Sequence, residues 1–242
     1  MKPYSLILWD FDGTLYEETP AIKEMFAHAA CRAVRSQLPK ELYRVTTDEA
    51  VHSLLKKSRE QFGDSFTRFA LQGLSEPELH KKHHENLDHT MLKPNAKLIE
   101  GFARLENIGV ASAIVTHGHM IWTKKALDRC GLSPFFPEDR IVTAEKINYQ
   151  KKHRGPGAFS AAMEAMRISA DPKNVMFVED KAKNLYFPKE HFGWTTCLVT
   201  PEEKKNLGHV DVQCAAPEDV IDLVIKYNLM VSPDQTTPEP VV

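Results

Sequence analysis

The chain has 242 residues and a formal net charge of −2, with 31 lysines and arginines against 33 acidic residues. Because there is no excess of positive charge, we expect neither a nucleic acid polymer nor an anionic membrane surface as a partner, and a small charged substrate stays open. The length allows one large domain or a main domain with a smaller inserted one, and we expect the second.

The four cysteines show no Cys-x-x-Cys spacing, and each lies in an apolar or helical context. We therefore expect buried free thiols and a cytoplasmic protein. The amino terminus leads directly into an apolar strand, and no apolar run reaches the ~18 residues of a membrane span. No membrane partner is expected, and the oligomeric state stays open. The cysteines are Cys31, Cys130, Cys197 and Cys214.

The first predicted strand lies within residues 5–15 and ends abruptly in acidic residues. An apolar run without glycine or proline precedes Asp10 and Asp12, and Gly13 and Thr14 follow. This pattern is typical of a buried parallel strand that leads into a loop. Ligands of open α/β sheets bind at this end of the strands, and two neighbouring carboxylates offer the oxygen ligands that Mg²⁺ prefers. An ordinary Asp-Gly turn is the alternative.

Residues 17–89 are predicted to form an all-helical insertion between the first strand and the next helix of the α/β pattern. Apolar residues recur at helical spacing after Pro20, a residue that can open a helix. Further helices are expected from Thr47 to about Leu55, around Phe62 to Leu71, and after Ser75. No run rich in β-forming residues interrupts this segment.

Strands and helices alternate over residues 90–231, which together with residues 1–16 predicts an α/β core with a doubly wound parallel sheet. Residues 232–242 contain three prolines and no periodicity, so we expect a disordered tail without a chemical role. The predicted helices lie at 95–106, 121–130 and 157–166 and after residue 180, and the predicted strands at 110–115, 140–143, 175–178 and 195–199.

Polar groups of complementary kinds follow three of these strands. Two acids follow the first, a hydroxyl and an imidazole follow the second, two acids end the fourth, and a lysine pair precedes the helix before that strand. Because the ends of parallel strands lie on one edge of a sheet, these groups are expected to converge on one crevice. Together with a divalent cation they suit the stabilisation of a phosphoryl group in transfer. The residues are Asp10, Asp12, Thr116, His117, Lys151, Lys152, Glu179, Asp180 and the later Asn184.

These motifs resemble, in the same order, those of the haloacid dehalogenase-like (HAD) phosphohydrolases, over nearly the whole chain before the tail. Asp-Phe-Asp-Gly-Thr at residues 10–14 is similar to the first motif, Asp-x-Asp-Gly-Thr. The turn at residues 116–118 is similar to the second motif, with His117 where the family often has Asn. Glu179 and Asp180, followed by Asn184, are similar to the fourth. Four such motifs in order at strand ends indicate membership of the family.

The third motif of the family is a single lysine before a helix start of the form Pro-x-x-Phe. This chain has Lys151 and Lys152 ahead of Gly-Pro-Gly-Ala-Phe, which ends at Phe159. Counted back from Phe159, His153 stands at the usual lysine position, so a shift of one residue is required. Lys152 is the predicted phosphate-binding lysine, and Lys151 is the alternative.

The resemblance implies a Rossmann-like core with a helical cap, and a phosphatase mechanism. Asp10 would be the nucleophile that forms an aspartyl-phosphate, and Asp12 would protonate the leaving group and then activate water. Asp12 argues against a dehalogenase, which needs no acid to protonate a halide. The implied phosphate ligands are Thr116, His117 and Lys152, and the implied Mg²⁺ ligands are Asp10, Asp12 through its backbone carbonyl, and Asp180, with Glu179 or Asn184 in addition.

The resemblance leaves the substrate open, because the cap and not the motifs contacts the leaving group. A small phosphorylated metabolite or nucleotide is the expected partner. The Glu-Asp-x-x-x-Asn motif, the Phe-Gly-Trp-Thr-Thr stretch after it and the cap length are similar to the pyrimidine 5'-nucleotidase branch. A phosphoglycolate or sugar-phosphate phosphatase, a β-phosphosugar mutase-like phosphotransferase and a non-catalytic binding protein are the alternatives.

Several other residues are candidates for a role in binding or in the core. The histidine cluster between His80 and His89 is expected to be a solvated face of the cap, with zinc binding as the alternative. His119 either lines the site or caps the following helix, and the cap is favoured. Trp9 and Trp194 are expected in the core. The cap aromatics Phe26, Tyr43, Phe62, Phe66 and Phe69 could contact a substrate, but most are expected to form the core of the cap.

Overall fold

The structure is a computed structural model that describes residues 3–167, 171–205 and 207–231. The predicted tail at residues 232–242 lies outside the described residues. Six strands form one sheet in this part of the chain: β1 (Leu6–Trp9), β2 (Ala111–Val115), β3 (Ile141–Val142), β4 (Val175–Glu179), β5 (Thr195–Val199) and β6 (Val212–Cys214). All pairings are parallel and the strand order is β3-β2-β1-β4-β5-β6, so the predicted doubly wound sheet is confirmed.

The central strand β1 lies between β2 and β4 and is buried at all four residues. Ile7 and Trp9 pack into one layer of the core, and Leu6 and Leu8 pack into the other. A strand that is covered on both faces needs an apolar side chain at every position. This explains why the sequence of β1 is a continuous apolar run and does not alternate.

Helices cover both faces of the sheet. The first layer contains α6 (Ala96–Asn107), α7 (Met120–Cys130) and α10 (Pro217–Val231), and the second contains α8 (Gly157–Met166) and α9 (Tyr186–Glu190). Neither β6 nor α10 was among the predicted elements. Three residues are too few to show a periodic pattern in β6, whereas Pro217 and the acids after it are start signals that would have identified α10.

The segment between β1 and α6 is helical, as predicted. It contains α1 (Pro20–Ser36), α2 (Lys40–Val45), α3 (Asp48–Phe62), α4 (Thr67–Ala70) and α5 (Glu76–Glu85). Four of these helices, α1, α3, α4 and α5, share a small core of their own, to which Val34, Leu55 and Leu79 contribute. They form the inserted helical cap of the fold, while the domain boundaries at residues 16 and 89 stay a prediction.

The helix predicted around Phe62 to Leu71 is shorter in the structure. Gly63 has a φ of +71° and ends α3, because a residue in the left-handed region does not continue a helix. Asp64 Oδ1 then accepts hydrogen bonds from the backbone N–H groups of Phe66 and Thr67 at 2.8 Å and 3.0 Å. The turn that these bonds stabilise delays the start of α4 to Thr67.

Several predictions about buried residues are confirmed. Trp9 and Trp194 are buried, as are three of the four cysteines. Cys214 is the exception: it is half-buried, because β6 lies at the edge of the sheet. His119 caps α7, since its Nδ1 accepts a hydrogen bond from the backbone of Ile121 at 3.2 Å. Among the described residues, no helix is long and apolar enough to cross a membrane.

Candidate active site

The loop after β1 carries both predicted catalytic acids and lies against the end of β4. Asp10 is buried, and its backbone N–H donates to the carbonyl oxygen of Val178 at 2.8 Å. Gly13 has a φ of +85°, and a Cβ atom on this residue would lie 2.8 Å from Asp180 Oδ2. Glycine meets both conditions without strain, so the loop brings Asp10 next to the acids that end β4.

Lys152 lies on the loop that leads to α8, and its ammonium group is buried between two carboxylates. Nζ donates to Asp10 Oδ1 at 2.5 Å, to Glu179 Oε2 at 2.5 Å and to the carbonyl oxygen of Val115 at 3.2 Å. All three ammonium protons therefore have acceptors. The lysine side chain is 1% exposed, a degree of burial that a charged group tolerates only when it is paired.

The charges of this group of three residues perturb one another. Burial and the Glu179 carboxylate raise the pKa of Asp10, with Lys152 opposing. Burial likewise raises the pKa of Glu179, again with Lys152 opposing. Burial would lower the pKa of Lys152, but the two carboxylates outweigh it and hold this pKa above its usual value. Two acids that share one ammonium group form a negatively charged, dry site that an additional cation would stabilise.

The side chain of Asp12 has different partners from that of Asp10. Asp12 Oδ1 accepts hydrogen bonds from the Tyr16 hydroxyl and from Trp122 Nε1, the second at 2.7 Å. Burial raises the pKa of Asp12, and the two donors oppose this shift. The Asp12 carboxyl group has a raised pKa and is not hydrogen-bonded to Lys152, and these two properties suit a general acid.

The second motif forms a tight turn at the end of β2. The Thr116 hydroxyl oxygen accepts a hydrogen bond from the Gly118 backbone at 2.9 Å, which leaves its proton as a donor for a ligand. His117 Nε2 accepts from the backbone N–H of Lys152 at 3.0 Å. Burial, together with Lys152, lowers the pKa of His117 well below its usual value, so the ring is neutral. Only its Nδ1 remains as a donor, and phosphate binding by His117 stays a prediction.

Three carboxylates are close enough to share a cation. One ligand oxygen each from Asp10, Glu179 and Asp180 lies within 4.8 Å of the others. Asn184 is buried, and its Oδ1 has no hydrogen-bond partner among the described residues. A buried amide oxygen without a partner is costly, and a metal ion would satisfy it. This donor set consists of oxygens alone and fits Mg²⁺, while coordination by Asp12 stays a prediction.

A cavity of about 240 Å³ opens between these strand ends and the cap. Its volume is smaller than that of most ligand pockets, so it would enclose only a small molecule. The strand-end side is lined by Asp10, Asp12, Thr116, His117, Lys152, Glu179 and Asn184, and the cap side includes Phe26, Arg59, Phe66, His80 and His83.

The histidine cluster is not the solvated face that the sequence suggested. His80 and His84 are 5% and 6% exposed, and Phe66 packs edge-on against His80 and His83, at 5.0 Å and 5.5 Å between ring centroids. Burial lowers the pKa of His83 to about 3, so this ring is neutral. The prediction was wrong because α5 turns these residues towards the cavity and the core, and only a few positions of the helix remain exposed.

The neighbouring residues Lys151 and Lys152 have partners on different sides of the cavity. Lys151 Nζ lies 3.0 Å from Asp64 Oδ2 and 3.1 Å from Glu76 Oε1, both in the cap. Lys152 instead contacts Asp10 and Glu179 at the strand ends. The geometry therefore assigns Lys151 to the contact between cap and core and leaves Lys152 beside the predicted nucleophile. Asp64, Glu76 and His80 also have the spacing of a metal site, with the ammonium group of Lys151 among them.

Comparison with known proteins decides the family. The family model of haloacid dehalogenase-like hydrolases matches residues 7–187, which include all four motifs. The chain belongs to this family. None of the curated protein sequences compared with the chain matches it.

Solved structures share the fold of this haloacid dehalogenase-like hydrolase. A HAD phosphatase from Thermococcus onnurineus is 18% identical with a TM-score of 0.60, covering 93% of this chain and 98% of its own. A putative HAD-hydrolase from Bacillus subtilis bound to magnesium is 19% identical with a TM-score of 0.59, at 92% and 99% coverage. The L-2-haloacid dehalogenase from Xanthobacter autotrophicus is 14% identical with a TM-score of 0.56, at 92% and 98% coverage.

Two aromatic residues of this hydrolase contact a predicted catalytic acid and were missed by the sequence analysis. Tyr16 is four residues after Asp12, but the sequence alone would place an aromatic residue there in the core. Only the structure shows that its hydroxyl donates a hydrogen bond to Asp12. Trp122 lies on α7, and only the packing of this helix against the sheet brings its indole to Asp12. No local pattern in the sequence reports such a contact between distant segments.

Proposed function

We propose that this chain is a Mg²⁺-dependent phosphomonoesterase that works through a phosphorylated Asp10. The observation that carries this proposal is the arrangement around one small cavity: Asp10 beside the Lys152 ammonium group, with the separately held acid Asp12 two residues further on. A nucleophile, a cation and an acid in one dry site are the groups that phosphoryl transfer requires.

In the first step a carboxylate oxygen of Asp10 attacks phosphorus. The bond from phosphorus to the leaving oxygen breaks, its electron pair stays with that oxygen, and Asp12 gives the oxygen a proton. The Thr116 hydroxyl and Lys152 would bind phosphoryl oxygens, and Lys152 would exchange part of its contact with Asp10 for the phosphate. The product is an aspartyl-phosphate and a free alcohol.

In the second step the same acid acts as a base. Asp12 takes a proton from a water molecule, whose oxygen attacks phosphorus, and the bond between phosphorus and Asp10 breaks. The electron pair returns to the Asp10 carboxylate, and phosphate leaves. Asp12 thus ends protonated, ready for the next turnover.

Asp10 and Asp180, with Glu179 or Asn184 in addition, would hold the Mg²⁺ ion. A bound Mg²⁺ neutralises charge where an anionic nucleophile approaches an anionic phosphate. The Asn184 amide oxygen and the excess of carboxylates over ammonium groups at this site support its presence.

A dehalogenase is the alternative that the fold raises, because solved structures with this fold include both phosphatases and dehalogenases. Asp12 favours the phosphatase. A halide leaves as a stable anion and needs no proton, whereas an alkoxide does. Asp12, a buried acid with a raised pKa, is therefore needed for an alkoxide leaving group but not for a halide.

For the substrate we propose a pyrimidine nucleoside 5'-monophosphate, with phosphoglycolate or a sugar phosphate as the alternative. The aromatic rings of Phe26 and Phe66 line the cap side of the cavity and support a planar leaving group. The exposed Arg59, which also lines the cavity, is the feature that would suit an acidic leaving group such as glycolate.

The test is a release assay with purified protein and Mg²⁺ over one panel of substrates. The panel contains UMP, CMP, phosphoglycolate, a hexose phosphate and a 2-haloacid. We expect phosphate from the esters, with kcat/KM highest for the pyrimidine nucleotides, and no halide. A clear preference for phosphoglycolate would overturn the nucleotide assignment alone. Halide release without phosphate release, or no turnover at all, would overturn the phosphatase.

A further inference from the structure

Asp12 has two aromatic hydrogen-bond donors on one of its oxygens. Oδ1 accepts from the Tyr16 hydroxyl and from Trp122 Nε1 at 2.7 Å. The two donors reach the acid from different parts of the fold, one from the loop after β1 and one from α7. Trp122 is 1% exposed, so water does not compete for its indole N–H.

Both aromatic rings are themselves held by neighbours. Tyr16 packs edge-on against Phe11, at 5.4 Å between ring centroids, and its backbone forms an isolated bridge with that of Asp12. Trp122 packs edge-on against Phe26 of the cap helix α1, at 5.7 Å. Their donor groups are therefore fixed before any substrate arrives, and the position of one of them depends on the cap.

The chemistry of the two donors decides which oxygen of Asp12 carries the acidic proton. An indole N–H only donates, so a proton on Oδ1 would face another proton. Oδ2 is left for it, and this oxygen lies beside the turn of the second motif, 3.1 Å from where a Cβ on Gly118 would be. Thr116, the predicted phosphate ligand, belongs to the same turn.

We propose that Tyr16 and Trp122 are positioning residues that saturate Oδ1 of Asp12 and so present the proton on Oδ2 to the leaving oxygen. This inference rests on the proposed function, in which Asp12 is the general acid. It adds that the acid is oriented by two aromatic donors, and that the cap residue Phe26 supports one of them. Neither ring touches the reacting atoms, and both act through Asp12.

The test compares two kinds of leaving group in Tyr16→Phe and Trp122→Phe variants of the full chain. A nitrophenolate leaves without being protonated, whereas an alkoxide requires the acid. We expect kcat/KM on the best phosphate ester of the panel, an alkyl phosphate, to fall about tenfold or more, while kcat/KM on p-nitrophenyl phosphate stays within about twofold. The parameter kcat/KM covers only the steps up to release of the leaving group, so slower hydrolysis of the aspartyl-phosphate does not obscure the comparison.

Matched variants control for the loss of an aromatic group elsewhere in the core. Tyr4→Phe removes a hydroxyl that donates to Thr195 Oγ1 at 3.2 Å, and Trp194→Phe shrinks a buried indole that packs on Phe159. Neither residue lines the cavity, so we expect no selectivity between the two substrates. Melting curves verify that each variant is folded at the assay temperature.

The outcomes separate this inference from the function on which it rests. Equal losses on both substrates, or no loss on the alkyl phosphate, would overturn the positioning role while the phosphatase stands. If Trp122→Phe does not fold, Tyr16→Phe, which removes a single hydroxyl, decides the question alone. No hydrolysis of any phosphate ester of the panel by the unmodified protein would overturn the proposed function and the positioning role together.

Discussion

The two sides of the cavity differ in how their polar groups are satisfied. On the strand-end side Lys152 uses all three of its ammonium protons, and its acid partners are Asp10, directly after β1, and Glu179, the last residue of β4. On the cap side His80 Nδ1 and His83 Nε2 are buried and have no hydrogen-bond partner among the described residues. On the strand-end side Asn184 Oδ1 lacks a partner that a metal ion could supply, while the cap side lacks partners that a leaving group could supply.

This difference suggests separate roles for the two sides of the cavity. In the proposed function the side chains of the strand ends would contact only the phosphoryl group and the metal, so they would serve any phosphate ester. The side chains of the cap differ in shape and hydrogen bonding, and they can distinguish one leaving group from another. Changes on the first side should therefore abolish turnover, and changes on the second should redirect it.

The largest effect is expected for Asp10→Asn. The change keeps the size of the side chain but removes the nucleophile, so kcat should fall at least about a thousandfold, or about 4 kcal/mol in barrier height. Steady-state kinetics on the best substrate of the panel measure it, and circular dichroism verifies the fold. A variant that retains more than about a tenth of wild-type kcat, a barrier change below about 1.4 kcal/mol, would exclude the covalent mechanism.

Loss of the two proposed metal ligands Asp180 and Asn184 should raise the Mg²⁺ requirement to different extents. Asp180→Ala removes a charged ligand and should raise the Mg²⁺ concentration for half-maximal activity at least about tenfold, and Asn184→Ala by less. A titration of activity with Mg²⁺ in both variants measures the difference. Full activity in excess EDTA would contradict the site as described. A requirement for Zn²⁺ would point to Asp64, Glu76 and His80 instead.

The cap side is probed by two phenylalanines that are matched for burial. Phe66 and Phe69 are 2% and 4% exposed in the core of the cap, but only Phe66 lines the cavity. Both Leu variants should lose stability, on the order of 1 to 2 kcal/mol. Only Phe66→Leu should lower kcat/KM on UMP relative to phosphoglycolate, by about 1 kcal/mol or about fivefold. The same relative rates in both variants would remove Phe66 from the substrate contacts.

The smallest effect concerns the stability of the cap at low pH. The pKa of His83 is about 3 in the folded state because of burial, below its usual value of about 6.5 when unfolded. Between these values the unfolded chain binds one more proton, so the contribution of His83 to stability is present near neutral pH and is lost as the pH falls.

Replacing this histidine should reduce that pH dependence. Denaturant unfolding of His83→Gln at several values between pH 6.5 and pH 3 should show a slope shallower by up to about 1.4 kcal/mol per pH unit. His52→Gln, at an exposed position of α3, is the matched control for the loss of a histidine. A slope that does not change in His83→Gln would mean that the ring is protonated in the folded state.

The strand-end side was largely predictable from the sequence, and the cap side was not. The continuous apolar run of β1 and the acids after it locate Asp10 and Asp12 on the binding edge, because parallel strands all end there. The burial of His80 and the contact between Trp122 and Asp12 depend on how whole helices pack. Helical periodicity reports that a residue faces an interior, but it does not say which residue it meets.

The central claim is tested most directly by trapping the phosphorylated enzyme. The Asp12→Asn variant lacks the base of the second step, so after mixing with p-nitrophenyl phosphate it should accumulate the aspartyl-phosphate. Acid quenching, proteolysis and mass spectrometry then locate the phosphoryl group. We predict it on Asp10, and we predict none in Asp10→Asn. Phosphate release by the wild-type protein with no phosphorylated peptide in Asp12→Asn, or with the phosphoryl group on another residue, would contradict the account.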